Sequence, residues 1–209
     1  MRSTTKLSNN AIIWLCVFTG IFIWSAIEPK DTFTWFLEVV PALIGLGFLI
    51  YTRASFPLTT LTYVLILTHC IILMIGGHYT YAEVPLFDQI AEWMGSSRNN
   101  YDKVGHFAQG FVPAIVAREI FVRQSVISTK RWMNFLIICF CLGFSAFYEL
   151  IEWWIALTSG EDAEAFLGTQ GYVWDTQSDM GTALLGAIAA LISLSACHDK
   201  QLGALNRKG

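Results

Sequence analysis

The chain has 209 residues, 55% of them hydrophobic and only 14% charged, against roughly 45–50% and 25% in soluble domains, and its mean hydropathy of +0.52 agrees. This composition excludes an ordinary soluble fold. The length leaves room for one integral-membrane domain over residues 1–209, because the longest loop, about 25 residues, is too short to fold alone. The net charge of -3 is no argument about partners, since acids and bases are sorted into different loops, and nucleic acid is not an expected partner.

The apolar stretches predict an all-α membrane protein, a six-helix transmembrane bundle with spans at about 10–27, 35–52, 58–77, 103–122, 133–156 and 176–197, each near the ~20 residues that cross a bilayer. The first follows a basic start, as a signal peptide would. Its apolar run is about 18 residues long and no A-x-A site precedes Glu28-Pro29, so a retained helix is expected. Between the third and fourth spans, Leu86, Ile90, Trp93 and Met94 share one face of a short helix that Pro85 can start and Gly95 can end, and its expected place is the outer interface. The fourth span carries His106, Gln109, Arg118 and Glu119, which predicts one wet face. After the fifth span, Gly160 can stop the helix, residues 161–166 are expected to add a turn or two, and Gly168 and Gly171 break the chain before Trp174. Either outer loop is suited to gate a pocket or simply to connect helices.

Basic residues alternate by side. One set of segments holds Arg2, Lys6, Arg53, Arg118, Arg123, Lys130, Arg131, Lys200, Arg207 and Lys208, ten of the thirteen. The opposite segments hold Lys30, Arg98 and Lys103 together with most of the acids. The positive-inside rule then places both termini in the cytoplasm. Trp24, Trp35, Trp93, Trp153, Trp154 and Trp174 fall at the outer ends, as an interfacial belt requires. The cysteines, Cys16, Cys70, Cys139, Cys141 and Cys197, lie in the spans without a C-x-x-C pair, so neither disulfides nor a thiolate metal site are expected.

Ionisable residues converge at the outer ends of the last three spans. Asp102, His106 and Gln109 stand at i, i+4 and i+7 and share a face of the fourth helix, with Lys103 beside them. Glu149 and Glu152 share a face of the fifth, and Asp175, Asp179 and Thr182 form a stripe on the sixth. An acid at the centre of a span costs about 2.5–3.5 kcal/mol, less toward the interface, so Glu149, Glu152 and Asp179 are expected to face inward. Clustered carboxylates repel, and must be protonated, paired with Lys103 and His106, or bound to a metal. A divalent cation resolves the most conflict, and oxygen-rich ligands with one imidazole suit Mg²⁺, Mn²⁺ or Zn²⁺.

Plainer roles compete. Asp102 and Asp175 lie near helix N-termini, where acids cap free N–H groups; Glu149 and Glu152 lie near a C-terminus, where the dipole disfavours them. His106 has an alternative as a buried hydrogen-bonding residue. His69, in mid-span, is expected to make an interhelical hydrogen bond more than to ligate, and Glu38 is ambiguous. His78, Tyr79, Tyr81 and Glu83 are secondary candidates at the mouth.

These residues resemble two families. Over the full length the chain is similar to the YjdF family of bacterial inner-membrane proteins, which implies a multi-pass location in the cell inner membrane and no particular reaction. More distantly, Asp102-Lys103-Val104-Gly105-His106-Phe107, Glu149-Leu150-Ile151-Glu152 and Asp175-Thr176-Gln177-Ser178-Asp179, followed by Gly181 and Gly186, resemble the VanZ-like pattern. That pattern has Gln where this chain has Glu152 and Asn where it has Asp179. The likeness implies an envelope setting, and the two extra acids favour cation binding.

No G-x-S-x-G, H-E-x-x-H or phosphate-cradling Gly-rich loop is present, and the E-x-x-H pairs of bundle di-iron sites are absent. Three readings remain. In the first, Glu149, Glu152, Asp179 and His106 hold a metal that acts on a lipid or isoprenoid head group, with His106 as ligand or general base and Lys103 steadying a phosphate, while Asp102, Gln109 and Asp175 support them. In the second, the same carboxylates exchange protons or cations during transport. In the third, the cluster only ties helices together, which pairing of Arg98 or Lys103 with every acid would favour. Membrane lipids are the expected partners, and oligomeric state is open.

Overall fold

The computed structural model describes residues 7–127, 129–159, 167 and 169–207. Arg2, Lys6, Lys208, Gly160, Gly168 and the turn expected over 161–166 lie outside them. Seven helices occur among the described residues: α1 (Asn9–Ala26), α2 (Thr32–Thr52), α3 (Thr60–His78), α4 (Pro85–Trp93), α5 (Tyr101–Arg123), α6 (Lys130–Ser159) and α7 (Asp175–Asn206). Five of them, α1, α2, α3, α6 and α7, are long and apolar enough to cross a membrane.

Local chemistry sets the starts. The Ser8 hydroxyl accepts from the Ala11 N–H at 3.3 Å, the Asp31 carboxylate from Thr34 at 2.6 Å and the Thr59 hydroxyl from Thr62 at 3.3 Å, capping α1, α2 and α3. Pro85 opens α4 at a position whose N–H has no helical partner anyway. Leu86 and Trp93 of α4, and Met94 at its C-cap, remain exposed. α6 and α7 run further than the apolar pattern indicates. Hydropathy marks only the part of a helix suited to lipid, whereas the hydrogen-bond ladder continues into polar turns such as Asp199-Lys200-Gln201.

The bundle is two helix trios joined by contact between α3 and α5. In the first, Phe18, Val39, Ala42, Cys70 and Met74 pack α1, α2 and α3 together. In the second, Ala114, Ile115, Ile137, Cys141, Ala187 and Leu191 do so for α5, α6 and α7. α5 and α7 touch backbone to backbone: a Cβ on Gly110 would sit 1.8 Å from the Ala183 carbonyl oxygen, and one on Gly186 would sit 2.1 Å from that of Phe107. Small residues permit the close approach that dispersion needs in a bilayer.

α5 packs against α3, α6 and α7. His106, Gln109, Arg118 and Glu119 are all buried, and their partners are protein groups. At the end of the bundle that carries both termini, Glu119 accepts from the Thr59 N–H at 2.8 Å, the Thr62 hydroxyl at 2.6 Å and Arg123 at 3.0 Å. Arg118 meets His198 Nδ1 at 3.1 Å and Asp199 at 2.6 Å. A guanidinium only donates, so Nδ1 accepts, and the His198 proton lies on Nε2, 3.2 Å from Glu119. This network pins the α2–α3 loop, α5 and α7 to one another.

Candidate functional site

The opposite end gathers the acids. α5 enters it with Asp102, Lys103, His106 and Gln109 in its first turns, α6 ends there with Glu149 and Glu152, and α7 begins there with Asp175 and Asp179. All eight sequence candidates therefore lie in one region. Neither Asp102 nor Asp175 caps its helix: the N-cap positions are Asn100 and Trp174, without side-chain cap bonds. Their carboxylates face cations instead.

Lys103 Nζ is 2.7 Å from Asp175, 3.2 Å from Asp102 and in contact with Asp179. Arg98, from the loop before α5, is 2.5 Å from Asp175 and 3.6 Å from Asp102, and it also donates to the Thr169 carbonyl. The Tyr172 ring lies beneath both cations, 5.3 Å from the Arg98 guanidinium carbon and 5.9 Å from Lys103 Nζ. Asn99 is buried and locks the two outer loops together. Its N–H donates to Gln170 Oε1 at 3.0 Å, its carbonyl accepts from Gln170 Nε2 at 2.8 Å, and its side chain donates to Asp88 at 2.7 Å.

His106 is the hinge of the cluster. Nε2 is 3.1 Å from Asp102 and 3.8 Å from Asp179; Nδ1 is 3.2 Å from Gln109 Oε1 and 3.8 Å from Glu149 Oε1. Both ring nitrogens thus face oxygen acceptors. Two groups of potential ligand atoms lie within 4.8 Å of one another, Asp102–His106–Asp179 and His106–Glu149–Glu152.

The two groups differ in charge balance. Lys103 and Arg98 serve the three aspartates, and neither pairs with Glu149 or Glu152. Glu149 is 8% exposed, and its Oε1 has no hydrogen-bond partner. A buried carboxylate oxygen without a donor is strongly disfavoured, so this atom marks a place where the fold is electrostatically incomplete.

A cavity of about 500 Å³ adjoins the cluster. Its polar end is formed by Glu38, Asp102, His106, Gln109, Tyr148 and Glu152, and most of the rest by apolar side chains of α2, α3, α5 and α6. Glu38 is buried and accepts from the Tyr148 hydroxyl at 3.4 Å. Tyr81 also lines the cavity, at φ 56, its ring wedged where a Cβ on Gly76 would come within 2.2 Å and one on Gly105 within 2.8 Å. His69 lines the cavity as well and makes no hydrogen bond to a described residue, contrary to the interhelical bond expected of it. His78 and Glu83 lie elsewhere: His78 Nδ1 is 3.1 Å from the Ser25 carbonyl and its ring packs on Trp24, while Glu83 pairs with Lys30 at 2.7 Å. Asn99, Gln170 and Tyr172 were not legible as site residues, because no spacing rule joins loops about 70 positions apart.

Long apolar helices gathered around a polar cluster at one end define a multi-pass integral membrane protein. The chain belongs to the family described as "Predicted membrane protein (DUF2238)", whose model matches residues 10–200. It is 53% identical over 184 residues to the inner membrane protein YjdF of Escherichia coli (strain K12), covering 88% of each chain, and this relationship places it among multi-pass proteins of the bacterial inner membrane. No solved structure matches it.

Proposed function

We propose that His106, Glu149 and Glu152, with Asp179 beside them, bind a divalent cation at the outer face of the membrane, where it engages the phosphate-bearing head group of a lipid or isoprenoid. The observation that carries this reading is the orphaned Glu149 oxygen in a cluster of Asp102, Glu149, Glu152, Asp175 and Asp179 whose fixed cations, Arg98 and Lys103, reach the aspartates alone. A cation held by Glu149, Glu152 and His106 supplies the missing charge and leaves ligand positions for phosphate oxygens, as oxygen-liganded Mg²⁺ or Mn²⁺ commonly does. Lys103 is engaged by three aspartates and so orders the site more than it offers itself to a phosphate.

The accompanying topology has six spans, α1, α2, α3, α5, α6 and α7, with both termini cytoplasmic. α5 owes its place to burial by its neighbours and not to its own hydropathy, and the sorting of basic residues supports the orientation.

Transport of protons or cations is the second reading, and His69 inside the cavity favours it. Against it stands the bonded Glu119–His198–Arg118 network at the far end of α5, which offers no matching path. A purely structural cluster explains the aspartates and not the glutamates. Equilibrium dialysis against Mn²⁺ followed by metal analysis tests the proposal: one ion per chain in wild type, lost in Glu149→Gln/Glu152→Gln, supports it, and equal metal content in both refutes it.

A further inference from the structure

The cavity has a side as well as an end. α2 packs on α3, and α6 packs on α5 and α7, but α2 and α6 face each other across the cavity with little direct packing. The Tyr148–Glu38 hydrogen bond joins them at the polar end. Further along, Ile44 and Phe48 of α2 and Phe144 and Phe147 of α6 line the cavity while remaining 43–65% exposed, so the same side chains meet both the cavity and the surrounding lipid. Pro41 lies within α2 at this level, and Gly45 leaves space where a side chain would stand.

We infer that the ligand is a glycerophospholipid that enters sideways from the bilayer between α2 and α6, with its head at the His106–Glu152 end and an acyl chain along the cavity. The identity of the head-end ligand rests on the proposed function; the sideways channel rests on the cavity itself. A water-soluble solute would meet an apolar wall over most of this space. An acyl chain gains little by leaving lipid for protein, so the channel steers the ligand and the head group supplies the affinity. His69 selects within the class. An imidazole with no described partner inside a largely apolar cavity is costly, and the ester carbonyls of a glycerophospholipid, set just below the phosphate, give it one. An isoprenoid phosphate carries no oxygen there.

The test uses full-length protein in nanodiscs containing either phosphatidic acid with a diazirine in its acyl chain or a diazirine analogue of farnesyl phosphate, with photolabelled peptides mapped by mass spectrometry. Gly45→Trp fills the channel from a position with no atom within 4 Å of its Cβ, and Gly47→Trp, equally open but outside the cavity lining, is the control. Phosphatidic acid should label the cavity-facing peptides of α2 and α6 in wild type and Gly47→Trp, fall to background in Gly45→Trp, and fall in His69→Leu. Labelling spread evenly over all lipid-facing helices of wild type, or undiminished in Gly45→Trp, overturns the channel, and the wild-type map decides this even where a variant does not fold. Labelling by farnesyl phosphate but not phosphatidic acid overturns the ligand class. Channel labelling that Gly45→Trp blocks, yet that ignores chelator and Glu149→Gln/Glu152→Gln, supports the channel while refuting the metal reading.

Discussion

Glu149 Oε1 stands 3.8 Å from His106 Nδ1, buried and without a hydrogen bond, while Asp175, one helix away, lies 2.5 Å from Arg98 and 2.7 Å from Lys103. Two carboxylates of one cluster therefore occupy opposite electrostatic situations. That contrast separates the carboxylate held by fixed cations from the one to which the proposed function assigns a ligand.

Neutralising the two kinds of acid should have opposite effects. Glu149→Gln removes a buried acid that neither Arg98 nor Lys103 reaches and should raise the melting temperature of metal-free protein. Asp175→Asn removes the closest carboxylate of Arg98 and one of the three that hold Lys103, and should cost at most about 3 kcal/mol, the low end for a broken buried pair, because Asp102 and Asp179 still face the two cations. Differential scanning fluorimetry in chelator checks both. Equal destabilisation by the two substitutions would show that Glu149 has a partner after all.

The α5–α7 seam tolerates no side chain at its crossing points. Gly110→Val should strongly reduce folded yield, since its Cβ meets the Ala183 backbone and not a movable side-chain tip, a case beyond the 1–3 kcal/mol or so of ordinary overpacking. Gly143→Ala, on α6 with open space around it, should leave yield and melting unchanged. Size-exclusion profiles in detergent distinguish the two.

At the terminal end, Glu119→Ala should destabilise by about 3–5 kcal/mol, because it leaves Arg123 and His198 with lost partners inside the bundle. This site lies far along α5 from His106, the neighbour of Glu149, so the melting shifts of the Glu119 and Glu149 substitutions should add. Strong non-additivity in the double variant would indicate that the ends of α5 are coupled.

The orientation is tested by reporters. Alkaline phosphatase fused after Ser96 should be active and fused after Arg207 inactive, with green fluorescent protein showing the reverse. Activity of both phosphatase fusions would refute a common cytoplasmic side for the termini.

The bilayer itself made much of this fold legible. A span must be about 20 residues long, and α1, α2, α3, α6 and α7 carry that signature directly. The faces of α5, α6 and α7 were legible from helical spacing, which brought Asp102, His106, Glu149, Glu152 and Asp179 to one level. Spacing says which side chains share a face; it does not say which cation reaches which acid across a helix boundary. The assignment of Lys103 to Asp175 and Asp179, and the isolation of Glu149, depend on the crossing of α5 and α7 at Gly110 and Gly186. His69 shows the same limit, since its expected partner depended on which helix stood opposite, and a cavity stands there instead.

The most direct measurement is the melting temperature of detergent-purified protein titrated with Mg²⁺, Mn²⁺, Zn²⁺ and Ca²⁺, comparing wild type with Glu149→Gln/Glu152→Gln. Binding to the folded state stabilises by about 2.7 kcal/mol at a hundredfold excess over Kd. The account predicts a rise with at least one of these ions in wild type, no rise in the double variant, and a metal-free variant that melts higher than metal-free wild type. No response of wild type to any ion, with a double variant melting no higher than wild type, would contradict it.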